Sequence, residues 1–91
     1  MVQIPDEQIL ALRPVFEGAF SEGMTPEEFA EDLIRENGLE LVKQIAAVLS
    51  PERITAALVK SPDGARSPLV RREGQKYLKG IFAAVRQKVG P

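Results

Sequence analysis

The residue types that usually carry chemistry near neutral pH are missing from this chain of 91 residues. It has no cysteine and no histidine. That removes disulfides, thiol nucleophiles, thiolate or imidazole metal ligands, and the commonest general base. An activated serine would then need a lysine base. Lys60 and Ser61 are adjacent, but adjacency along a chain is not a hydrogen-bonding orientation. Ser50 and Ser67 each precede a proline, where a serine caps a helix, and Ser61-Pro62-Asp63-Gly64 reads as a turn. Gly64 and Gly74 belong to no Gly-x-x-x-x-Gly-Lys phosphate loop. The chain is therefore read as a non-enzyme, with no catalytic residue and no cofactor.

Two charged clusters remain. Glu27, Glu28, Glu31 and Asp32 crowd one short segment, and carboxylates are the ligands that Mg²⁺ and Ca²⁺ prefer. They lack the alternating oxygen ligands of a cation loop, and successive acids on a helix point in different directions. No metal is assigned to them. The second cluster is Arg66, Arg71, Arg72, Lys76 and Lys79, followed by Arg86 and Lys88. Arg72, Lys76 and Lys79 fall on one helical face, where like charges oppose one another by about 0.2–0.5 kcal/mol per pair. Phosphates or carboxylates would relieve that repulsion; solvent is the plainer surrounding.

These clusters express a polarity of the whole chain. Residues 1–40 hold ten acids and two bases, a net of −8, whereas residues 41–91 hold ten bases and three acids, a net of +7. The total of −1 hides the asymmetry. It predicts complementary faces, meeting within one chain, between two copies, or against a protein partner. Nucleic acid is the alternative partner for the basic segment. Against it stand a pI near 5.5 and a single residue, Tyr77, available to stack on bases. A helix-turn-helix around Ser50-Pro51 would offer only Arg53, Thr55 and Lys60 to DNA, with no glycine at the turn. A basic amphipathic helix over 68–88 could lie on a membrane surface, but it has no Trp and its apolar stripe is needed for the core.

The elements that position these residues read as helices throughout. Ile9, Leu12, Phe16, Ala19 and Phe20 recur at spacings of three and four over 5–22. The stripe stays in phase across Pro14, which favours one kinked helix over two short ones. Thr25-Pro26-Glu27-Glu28 is a capping-box start, with Met24 and Phe29 as a hydrophobic staple. Asn37-Gly38 is the matching stop, and a Schellman arrangement there would pack Leu39 back on Ile34. Phe29, Leu33 and Ile34 are the expected inner face of this second helix. Leu39–Leu49 is apolar at eight of eleven positions, and a helix apolar nearly all round is expected to be buried. A fourth helix starts at Ser50-Pro51, with Ile54, Ala57 and Leu58 inward. A loop over 61–67 leads to a last helix over 68–88. Gly74 and Gly80 lie inside that helix, at about 1 kcal/mol each relative to alanine, and are read as points of close helix approach.

The predicted fold class is all-α, a compact bundle of four or five short helices around a central apolar helix at 39–49, in one domain over 1–91. The expected function is a small non-enzymatic protein–protein interaction module that binds a partner or itself. The candidate partner-binding residues are Glu27, Glu28, Glu31 and Asp32 on the acidic face and Arg66, Arg71, Arg72, Lys76 and Lys79 on the basic face. No run of about 18 apolar residues predicts a membrane span. No basic start leads into an apolar stretch, so no secretory signal is expected, and a cytoplasmic location is the expectation.

Overall fold

The computed structural model describes residues 4–90 and is all-α. Its helices are α1 (Asp6–Ser21), α2 (Pro26–Asn37), α3 (Leu39–Val48), α4 (Pro51–Val59) and α5 (Arg72–Val89). Two 3-10 turns, Gly64–Arg66 and Pro68–Val70, bridge α4 and α5. Residues 1–3 and Pro91, the ends of the expected 1–91 domain, lie outside the described residues.

The local signals work as their chemistry dictates. Thr25 Oγ1 accepts from the Glu28 amide at 3.1 Å, and the Glu28 carboxylate accepts from the Thr25 amide at 3.0 Å, so the capping box is complete. Ser50 caps α4 by accepting from the Arg53 amide at 3.1 Å. Helix α1 runs unbroken through Pro14. At Gly38 the chain takes φ +88° and ψ 147° and enters α3 at the next residue. That backbone is not the left-handed αL conformation of a Schellman stop, and Leu39 is exposed rather than packed back on Ile34.

The central helix is α5, not the 39–49 segment. Tyr77, Leu78, Ile81, Phe82, Ala84 and Val85 of α5 are all buried, and α5 packs against α2, α3, α4 and the second 3-10 turn. Within α3 only Val42 is buried; Leu49, just past its end, is buried too. Leu39, Leu41, Ile45 and Val48 stay partly exposed, Ile45 at 38%. The reason is geometric. An 18-residue helix is about 27 Å long at 1.5 Å per residue and can run past every neighbour, whereas a 10-residue helix turns one narrow face to it. Apolar composition all round does not supply neighbours all round.

The last helix also starts later than its sequence suggests. Ser67 caps the short turn Pro68–Val70, the chain extends at Arg71 (φ −82°, ψ 167°), and only then does α5 begin. The break lets Leu69 reach complete burial. Gln75 holds it by donating to the Leu69 carbonyl at 2.8 Å. Both interior glycines are contact points. A Cβ on Gly74 would lie 2.1 Å from the Pro68 carbonyl oxygen, and one on Gly80 would lie 2.9 Å from Pro26 Cγ. Phe16 stacks on Phe29 at 5.3 Å between α1 and α2, and the Tyr77 hydroxyl donates to the Met24 carbonyl at 2.6 Å.

Candidate functional site

The acidic and basic helices meet within one chain. Helix α2 packs along α5 more extensively than any other pair of elements, and Lys88 Nζ lies 3.1 Å from Glu31 Oε1 across that junction. At the opposite end of the chain, Arg53 and Lys60 of the α4 region both pair with Asp6 of α1. Each of these three cross-element ion pairs joins an acid from residues 1–40 to a base from residues 41–91. The Arg53 guanidinium hydrogen-bonded to Asp6 holds the Asp6 carboxyl below its usual range against the opposing effect of desolvation, with further help from Lys60.

The individual acids are put to structural use. Glu28 closes the capping box, and the Thr25 amide that donates to it lowers its pKa. Glu31 pairs with Lys88, and Asp32 pairs with Arg35 one turn on in α2. Glu27 is exposed. Among the described residues no group of three or more acids is placed to hold a metal ion. The bases stand differently. Arg66 lies in the first 3-10 turn, Arg71 precedes α5, and Arg72, Lys76 and Lys79 follow one another along its outer face. All five are exposed, and none makes an ion pair among the described residues.

The remaining polar candidates are engaged internally. Lys60 reaches Asp6, while the Ser61 hydroxyl accepts from the Gly64 amide at 3.5 Å. Of the three side chains a helix-turn-helix would present, Arg53 and Lys60 bind Asp6, and Thr55 accepts from Gln75 at 2.8 Å. Among the described residues, no helix is long and apolar enough to cross a membrane.

Ser67 and Glu17 form a polar knot under α1. Ser67 is only 1% exposed. Its hydroxyl donates to Glu17 Oε2 and accepts from the Leu69 amide at 3.2 Å, while Arg13 Nε donates to the same Glu17 oxygen at 2.9 Å. Desolvation alone would raise the Glu17 pKa; the two hydrogen bonds outweigh it and the net shift is downward. The knot ties α1 to the second 3-10 turn.

The surface that sequence reasoning missed is apolar. Leu12 and Val15 on α1 face Leu41, Ile45 and Val48 on α3, all partly exposed, with Val15 at 52%. They line two adjacent hollows. One is an open groove of about 700 Å³ between α1 and α3, with Ile4, Gln8 and Gln44 among its other walls. The second is a more enclosed cavity of about 150 Å³ that runs inward to Phe16, Phe82 and Val85. Leu12 and Ile45 line both and form the lip between them. Among the described residues, no charged residue lines either hollow. The available signal was the run 39–49 itself, which is more apolar than its one buried face needs. No family model, no curated protein and no solved structure matches this chain.

Proposed function

We propose that this chain is a small non-enzymatic protein–protein interaction module that associates with a second copy of itself through the groove between α1 and α3. The observation that carries this reading is an apolar surface between α1 and α3 with no charged side chain among the described residues that line it. A two-fold contact sets a patch against its own copy. A charged face would have to find its opposite charge on the copy and lose water on both sides, whereas the groove needs no charge matched. Leu41, Ile45 and Val48, at spacings of four and three, also make the kind of helical stripe that lies in an apolar groove. Leu12, Val15, Leu41, Ile45 and Val48, between 37% and 52% exposed, amount to an apolar patch on the order of 400 Å². That is within the range of functional patches on monomers. With a polar rim, two such patches reach the low end of specific interfaces, about 1,200 Å² in total, so the dimer is weak and reversible.

Sedimentation across a wide concentration range tests this. The wild type should dimerise at high concentration, equally well or better as salt rises, because apolar association is not screened. Leu41→Asp with Val48→Asp should leave a folded monomer, since both sites are on the surface. A monomer at every concentration overturns the proposal. So does a dimer that dissolves in salt and is lost in Arg72→Glu with Lys76→Glu, which would move the contact to the charged faces. Salt-sensitive DNA or RNA binding lost in that same variant, with no dimer, would instead make the basic face of α5 the working surface.

A further inference from the structure

We infer that the smaller, partly open apolar hollow that Leu12 and Ile45 share with the groove is a binding site for the hydrocarbon end of a small, uncharged aliphatic molecule. The inference stands on the cavity alone and does not depend on self-association. Cavities of about 150 Å³ with apolar walls stay dry and take up small hydrocarbon guests. This one has that volume, and Asn37, at its edge, is the one polar side chain among those that line it. The Asn37 amide nitrogen already donates to the Leu33 carbonyl at 3.0 Å. Water entering the cavity would therefore find few partners, while an alkyl chain would find Phe16, Phe29, Ile81, Phe82 and Val85.

The shape selects a linear guest. The hollow and the groove share Leu12 and Ile45 in their linings, and among the described residues neither is lined by a charged side chain. A chain that fills the inner space can therefore continue along apolar wall instead of ending against polar surface. The volume holds about five methylenes, each near the ~30 Å³ that a water occupies in the liquid. A carboxylate or ammonium head has no opposite charge in the lining to meet, which sets the class as neutral: an alcohol, an ester or an unsubstituted alkyl group.

The probe is a series of straight-chain alcohols from butanol to octanol, titrated against the full chain and followed by methyl-resolved NMR. Affinity should tighten about fourfold per added methylene until the cavity is full, the ratio that ~0.8 kcal/mol per buried CH₂ implies. Shifts should move at Ile81 and Val85 and stay fixed at Val59, which is exposed on α4 away from both hollows. Ala46→Leu places extra carbon in the cavity and should abolish binding. Leu41→Asp, in the groove wall only, should leave butanol and pentanol binding unchanged even where it removes the dimer. The inference is overturned by an absence of binding, by affinity that does not depend on chain length, or by shifts at Val59 rather than Ile81 and Val85. Unaltered binding in folded Ala46→Leu would overturn it too.

Discussion

Replacing Ser67 by alanine removes one oxygen and should cost more than any other serine substitution in the chain. The oxygen does two jobs at a site only 1% exposed. It accepts from the Leu69 amide and donates to the Glu17 carboxylate. Without it the Leu69 amide, beside a completely buried side chain, loses its partner, and an orphaned buried donor costs about 1–3 kcal/mol. The Glu17 carboxylate loses one of its two side-chain donors, and hydrogen bonds to charged groups contribute about 1.5–3 kcal/mol. The two losses share one atom and are not additive, so about 3 kcal/mol is expected for Ser67→Ala. Ser50→Ala removes only a helix cap and should cost about 1 kcal/mol. Urea unfolding of the two variants measures both. The pH dependence separates the Ser67–Glu17 bond from simple loss of packing. Glu17 has a depressed pKa in the fold, so its stabilisation is present above its ordinary value of 4.5 and is lost as pH falls through the lower folded value. Ser67 is one of the donors that depress it. The gap between wild type and Ser67→Ala should therefore be widest near neutrality and narrow in acid below pH 4.5. A loss under about 0.5 kcal/mol at pH 7, or a gap independent of pH, would refute the assigned hydrogen bonds.

Two further substitutions test the packing. Ile45→Ala should cost only about 1 kcal/mol because Ile45 is 38% exposed, whereas Leu78→Ala, fully buried on α5, should cost about 2–5 kcal/mol; denaturant melts giving the reverse order would restore 39–49 as the core helix. Gly74→Ala should destabilise despite alanine's higher helix propensity, by more than about 1 kcal/mol, because its Cβ would meet the Pro68 carbonyl oxygen at 2.1 Å; a raised melting temperature would show that the second 3-10 turn does not lie on α5.

What the sequence determines by itself is local. Thr25-Pro26-Glu27-Glu28 specifies a helix start through hydrogen bonds spanning three residues, and the same holds for Ser50-Pro51. The stripes of α1, α4 and α5 follow from the 3.6-residue period, so helix class and most inner faces are legible without any neighbour. Gly74 and Gly80 were readable as close approaches, since a helix carries an interior glycine at a cost. What tertiary structure alone decided is which apolar face is covered. Composition records how apolar a segment is, but burial depends on how many other elements reach it. Residues 39–49 are the most apolar stretch, yet only one face of that short helix meets α5 and α2. The rest became the wall of a groove facing α1. Likewise the −8 and +7 halves did not say which charges would pair within the chain and which would stay in solvent. The chain itself brings α2 against α5 and leaves Arg72, Lys76 and Lys79 outward, because the apolar stripe of α5, and not its charges, sets which way the helix turns.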